Sequence, residues 1–235
     1  MKPLDSVAII VQARLNSQRV PQKMIKDFNG TTLFGLVLDK IKEALPSKQE
    51  DIWASVYEPE LYDIAKAKGV NIFNRSNESA NNDNSLQKIY EWHDKLPKQY
   101  KYVMLVSGCN PLLEPTTIRD FYNKFVTQDE ENLFAVMEKK QYYWNKEGSL
   151  VTPWPQDQTI MNTKAVEPTY EAAHVLYASR LDLIKENKFM GDFQAPGGIK
   201  LFKMAELEAF DIDYPWQFEV GKLLYEKVGK QIKNS

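Results

Sequence analysis

The chain has 235 residues, 30 basic against 32 acidic, with a formal net charge of −2. A balance so near zero excludes a general nucleic-acid or membrane-surface binder, so any anion site must be local. The length predicts one large domain, 1–235, with an excursion. A single cysteine, Cys109, excludes an internal disulfide and points to a reducing compartment. The first apolar run is too short for a signal-peptide core, and no stretch approaches the roughly 18 apolar residues of a membrane span. A soluble, cytoplasmic protein is expected, with no nucleic-acid partner and no membrane insertion.

Taken in order, short apolar runs alternate with helical-period segments, the signature of an α/β protein with a mostly parallel sheet. Residues 7–13 (VAIIVQA) form a continuous apolar run, as a strand covered on both faces would. Residues 32–45 place Leu33, Leu36, Val37, Ile41 and Leu45 near one helical face, and Pro46 ends the helix. A strand (51–57), a helix (59–69) and a strand at VNIF follow. A helix (83–96), a strand (102–108), a helix (114–126) and a strand (132–137) continue the alternation.

From 139 to about 170 the pattern fails. Three prolines, two tryptophans and three tyrosines occur there with little period, too aromatic for a disordered linker. An ordered arm covering a site or meeting a partner subunit is expected. Regular structure returns at 174–187, IKLFKM, FDID and a final amphipathic helix, PWQFEVGKLLYEKVGKQI.

Two constellations carry chemistry. The loop after the first strand lies at the carboxyl edge of such a sheet, where ligands bind. It delivers Arg14, Arg19 and Lys23 with no acid among them and no glycine, so neither a dinucleotide fingerprint nor a Walker loop fits. Arginine grips phosphate with two prongs and lysine acts as a mobile point charge, a set suited to a triphosphate, with Asn16 and Ser17 able to add hydrogen bonds. Solvated loop charges are the alternative.

Near the other end, in FDID, strand alternation would put Asp211 and Asp213 on one face and Phe210 and Ile212 on the other. Adjacent carboxylates repel unless a cation sits between them, and Mg²⁺ shared with substrate phosphates and water suits the pair. Alternatively, Asp213 caps the helix starting near Pro215.

These residues carry a resemblance. VQARLNSQRVPQKMI resembles the amino-terminal loop of the sugar-acid cytidylyltransferases, the CMP-sialic acid and CMP-Kdo synthetase family, through Ala13, Arg14, Ser17, Arg19, Pro21 and Lys23. DIDYPWQFEVGKLL resembles the family's closing segment, with Gln217 where an acid is common and Phe218 retained. The resemblance implies a Rossmann-like nucleotide-diphospho-sugar transferase fold, a mostly parallel twisted sheet flanked by helices, and a homodimer joined partly by an extended arm, here 139–170.

It also implies transfer of CMP from CTP to the anomeric hydroxyl of a sialic acid-like or Kdo-like 3-deoxy-2-ulosonic acid, with release of pyrophosphate, for surface polysaccharide or lipopolysaccharide synthesis. Carried over by position, Arg14 and Lys23 would hold the triphosphate, Ala13, Asn16, Ser17 and Arg19 would line the loop, and Asp211 and Asp213 would bind Mg²⁺. Arg14, Lys23 and Asp213 are the catalytic expectations. No general base is visible.

FNRSNESANNDNSLQKI resembles the family segment that reaches the cytosine, making Arg75 the candidate for the base carbonyl with Asn82 and Asp83 nearby; a surface loop is the alternative. In VSGCNPLLEP, Cys109 stands where some branches carry an acid and sialic-acid branches a hydroxyl; a soft thiolate does not suit Mg²⁺. Asn110 could still donate to a nucleotide. His93 reads as helix surface. Tyr143, Glu171 and His174 are candidate sugar contacts, although His174 fits a structural role equally, and the arm aromatics suit stacking or a dimer interface. A nucleotidyltransferase for another sugar or polyol, a nucleotide-sugar-dependent glycosyltransferase and a non-catalytic nucleotide-binding homologue are the competing functions.

Overall fold

The computed structural model describes residues 2–3, 6–81 and 84–232. The strands are β1 (Val7–Gln12), β2 (Asp27–Phe28), β3 (Thr31–Thr32), β4 (Ile52–Val56), β5 (Asn71–Asn74), β6 (Tyr102–Val106), β7 (Asn132–Lys139), β8 (Thr169–Arg180) and β9 (Leu201–Lys203). The helices are α1 (Leu33–Ala44), α2 (Pro59–Ala67), α3 (Asn77–Asn81), α4 (Leu86–Ile89), α5 (Pro115–Thr127) and α6 (Pro215–Ile232). Seven strands form one sheet in the order β5-β4-β1-β6-β8-β7-β9, in which β8 alone runs against its neighbours. The expected mostly parallel α/β sheet is present.

Central β1 explains its own sequence. Val7, Ile9 and Val11 enter one apolar cluster with α1 and α5, while Ala8 and Ile10 enter a second on the opposite face with Trp53, Trp92 and Phe134. Both faces are dry, so polar alternation is absent. From β1 the chain winds outward through β4 and β5, then returns across β1 to β6. The loops after β1 and β6 therefore flank the point where strand order reverses, the crevice in which open α/β sheets take ligands.

Helix signals translate closely. Thr32 caps α1, its Oγ1 accepting from Gly35 N at 3.0 Å. Pro59, Pro115 and Pro215 each start a helix. Helix α6 is anchored by Phe218, 5% exposed and edge-on to Phe28 at 5.6 Å. Phe218→Ala should cost about 3–5 kcal/mol in denaturant titrations, and should also loosen the segment that carries Asp211 and Asp213.

Three local expectations need correction. The helix expected over 83–96 breaks at Tyr90 (φ −107°, ψ 46°) into the single turn of α4 and a 3₁₀ turn at Glu91–Asp94. Two positions apart on an α-helix point nearly opposite ways, yet both Tyr90 and Trp92 pack into the second cluster, and the break allows it. His93 is consequently buried, its Nδ1 3.0 Å from Tyr90 O. Residues 210–213 join no strand ladder; Ile212 N donates to Cys109 O at 3.0 Å, and Ile212 is fully buried between two half-buried aspartates, so the alternation survives without a sheet.

The irregular arm is an excursion from the β7–β8 hairpin. It is pinned by Val151 N to Tyr143 O (2.7 Å), by Tyr143 N to Thr152 Oγ1 (2.9 Å) and by a bridge between Trp144 and Leu150. No helix among the described residues is long and apolar enough to cross a membrane.

Buried Lys40 ties α1 to the β6–α5 loop, its Nζ donating to Pro111 O and Leu113 O, both at 2.6 Å. Burial pushes the amine down to about 8, against the raising pull of Glu114, Glu208 and Glu43. Between pH 8 and the ordinary value of 10.5 the unfolded chain holds more protons here, so this residue's contribution to stability rises with pH. Relative to Lys40→Met, the wild type should gain on the order of 1–2 kcal/mol between pH 7.5 and 9.5 in denaturant titrations.

Candidate active site

A cleft of about 840 Å³ opens at the switch point, within the size range of small-molecule sites. Ala13, Arg14, Asn16, Ser17, Arg19 and Lys23 line it from the first loop, Ser107, Gly108 and Cys109 from the β6 loop, and Asp213 from the closing segment. A Cβ on Gly108 would lie 2.6 Å from Met24 Cε, so a larger residue there would require the Met24 side chain to move.

The basic start and acidic end of the chain meet here. Asp213 Oδ1 lies 2.8 Å from Arg19 Nη2 and 3.6 Å from Lys23 Nζ, and Lys23 Nζ also donates to Ile212 O at 2.6 Å. The Arg19 guanidinium lies 5.2 Å from the Tyr214 ring centre. These Asp213 contacts are with cations, whereas the cap expected of it is made by Gln217, whose Oε1 accepts the N–H groups of Asp213 and Tyr214, each at 2.7 Å. A neutral amide oxygen thus satisfies the helix start where the family pattern commonly has an acid.

Asp211 is half-buried, and its Oδ1 has no hydrogen-bond partner among the described residues. Burial first, and the neighbouring Asp213 charge second, push its carboxyl above the usual range, with Lys23 opposing. The Cys109 thiol is likewise pushed up by burial, against the pull of Lys23.

A smaller chamber of about 280 Å³ adjoins the cleft, and the two share Gln12, Ala13, Arg14 and Ser107. Arg75 lines the smaller one, buried, with Nε donating to Ser79 Oγ at 3.1 Å and Nη2 to Ser79 O at 2.6 Å. Burial, and then Arg14, lower its pKa to about 10. Arg14 Nη1 donates to Ala80 O (3.2 Å) and Asn16 Nδ2 to Asn81 Oδ1 (3.3 Å), so α3 closes over the first loop. Asn82 and Asp83 lie outside the described residues.

Asn110 stands apart from both walls. Its Nδ2 donates to Ala209 O at 3.2 Å and steadies the closing segment. Tyr143 and Glu171 are exposed outside both cavity walls, Tyr143 in the arm and Glu171 on β8 beside Lys139 at 3.6 Å. His174 occupies a left-handed bulge in β8 (φ 55°), its Nδ1 2.8 Å from the Tyr177 hydroxyl, and Tyr177 lines the smaller chamber.

Sequence reasoning missed Gln12, Glu58, Tyr90 and Tyr177. Glu58 Oε1 accepts Leu15 N at 2.8 Å and so holds the first loop from the start of α2, a contact between chain positions 43 apart. Nothing local marks any of the four.

An open, mostly parallel α/β sheet with cations and carboxylates facing across its switch-point crevice belongs to the class of nucleotide-handling α/β proteins. The sequence profile described as "Cytidylyltransferase" matches residues 8–231. Pseudaminic acid cytidylyltransferase of Campylobacter jejuni is 25% identical over 228 residues, 92% of this chain and 95% of that one. N-acylneuraminate cytidylyltransferase B of Danio rerio is 29% identical over 140 residues, 59% of this chain, and the alignment spans only 32% of the zebrafish protein.

Among solved structures, CMP:2-keto-3-deoxy-manno-octonic acid synthetase complexed with CTP superposes with a TM-score of 0.66 at 15% identity, covering 94% of this chain and 99% of the other. The 4-diphosphocytidyl-2C-methyl-D-erythritol synthase of Anaerococcus prevotii shares the fold at the same TM-score, with 13% identity and coverage of 94% and 98%. The chain belongs to the cytidylyltransferase family, a family of nucleotidyltransferases.

Proposed function

We propose that the protein transfers CMP from CTP to the anomeric hydroxyl of an acidic 3-deoxy-2-ulosonic sugar, in the cytoplasm, for surface-polysaccharide synthesis. The observation that carries the reading is the meeting of Arg19 and Lys23 with Asp213 in one cleft, with the partly buried Asp211 close enough to feel the Asp213 charge. Relatives named for three different sugar acids (N-acylneuraminate, pseudaminic acid and 3-deoxy-manno-octulosonate) support an acidic acceptor.

In this reading the hydroxyl oxygen bonds to the α-phosphorus and gives up its proton to solvent, while the bond to the bridging oxygen breaks and pyrophosphate takes the electron pair. Arg14, Arg19 and Lys23 hold the triphosphate and stabilise the charge growing on that oxygen. Asp213, which pairs with two of these cations before substrate arrives, hands them to the phosphates.

The acid pair fits Mg²⁺. Asp211 Oδ1 is a buried oxygen with no hydrogen-bond partner among the described residues, and a second carboxylate lies beside it. Held by two carboxylates, Mg²⁺ would complete its shell with substrate phosphates and water. Once bound, Mg²⁺ would neutralise charge on the phosphates and the leaving pyrophosphate. Cys109 takes no part, because a thiol is a soft ligand.

The arm exposes Trp144, Val151, Trp154, Ile160 and Met161, an apolar surface suited to a second copy of the chain. Sedimentation should return twice the chain mass; a monomer at micromolar concentration would refute the dimer. Pyrophosphate release with Mg²⁺, each nucleoside triphosphate and a panel of sugar acids tests the activity. Release confined to CTP plus an acid supports it, whereas selective use of UTP or dTTP overturns it.

A further inference from the structure

Gln12, the last residue of β1, lines both the cleft and the smaller chamber. Its Oε1 accepts the indole N–H of Trp92 at 2.8 Å, and Ser55 Oγ lies 3.5 Å from the same oxygen. An indole N–H only donates, so the amide atom facing it must be the oxygen. Trp92 is fully buried and cannot turn away, which locks the amide in one orientation.

The Nε2 of Gln12, with two N–H groups, consequently faces the chambers, with no acceptor within hydrogen-bond distance among the described residues. Among the described residues the charged side chains lining the smaller chamber are Arg14 and Arg75, with no carboxylate among them. Donors converge there, and the complementary group is an acceptor oxygen on the occupant.

We propose that Gln12 is a substrate-reading residue whose Nε2 donates to an sp² oxygen of the ligand at the junction of the two chambers, with Trp92 as the positioning residue that fixes the amide. The inference rests on the function proposed above. Within it two sources carry such an oxygen: the pyrimidine carbonyl of the nucleotide and the carboxylate of the sugar acid. A site built to hydrogen-bond such an atom rejects analogues that cannot accept.

The test uses the full-length protein with Mg²⁺. Calorimetry measures CTP affinity without acceptor, and steady-state pyrophosphate release measures KM for the sugar acid at saturating CTP. Gln12→Glu keeps an oxygen for Trp92 but puts a second where the NH₂ was, so it should weaken one of these two by about tenfold or more and leave the other within twofold. The arm that changes names the oxygen.

Gln12→Met should weaken the same arm. Trp92→Phe should do so by a smaller factor in the wild-type background and by none in the Gln12→Met background, as a double-mutant cycle would reveal. If Gln12→Glu and Gln12→Met both fold with wild-type thermal stability and leave both quantities within twofold, the inference is wrong. If the wild type uses UTP or dTTP in place of CTP, the cytidylyl reading falls, and Gln12 is judged with the nucleotide that binds.

Discussion

Asp213→Asn should lower the rate of pyrophosphate release by about 10²–10³-fold or more at saturating CTP and sugar acid. Asp213 is the carboxylate on which Arg19 and Lys23 converge in the absence of substrate, and with Asp211 it forms the one acid pair on the cleft's closing segment. Asparagine keeps the size and one oxygen but loses the charge, so it neither balances the two cations nor holds a divalent ion strongly. The required Mg²⁺ concentration should rise along with the loss of rate. Stability should barely change, because the Arg19–Asp213 pair is solvent-exposed and such pairs contribute little to folding. A variant with normal turnover and normal Mg²⁺ dependence would remove the acid pair from the mechanism.

Lys23→Met is the second large effect. Lys23 is the most enclosed of the first-loop cations whose ion pairs are resolved, with a side chain only 12% exposed against 53% for Arg19. Its ammonium lies between Ile212 O and Asp213, beside Cys109. A hydrogen bond to a charged phosphate oxygen contributes roughly 1.5–3 kcal/mol, so its loss should lower kcat/KM for CTP by about ten- to a hundredfold. Methionine fills the same volume but leaves the buried Ile212 O without its donor, so the variant should fold with stability lowered by about 1–3 kcal/mol. The effect should fall on CTP far more than on the sugar acid. Lys23→Arg should rescue only in part, since a planar fork cannot replace a compact ammonium on a flexible stem. Equal losses for both substrates would mean that Lys23 acts by holding the closing segment rather than by gripping phosphate.

Gln12 and Lys23 illustrate how differently site residues announce themselves. Lys23 stands in a loop with two other cations and no acid, a pattern that already asks for an anion. Gln12 sits at the end of an apolar strand and reads as the place where that strand stops. Its meaning depends on Trp92, 80 positions later, and on a helix that breaks so that Trp92 can reach it. Glu58 is similar, an ordinary acid before a proline until Leu15 N is found on its carboxylate. Asn110 is the converse case, a polar residue in a suggestive loop whose Nδ2 bonds Ala209 O within the fold.

By itself the sequence determined the parts whose causes are local. Apolar period and run length specified the alternating strands and helices, proline marked helix ends and starts, and the two charged motifs named the chemistry, because each depends on residues a few positions apart. Only the tertiary structure decided that the basic loop and the acid pair face one another, that Arg75 sits buried in an adjoining chamber, and which way the Gln12 amide points. Those facts depend on the crossing order of strands, on burial and on hydrogen bonds between distant segments, none of which has a period or spacing to read along the chain.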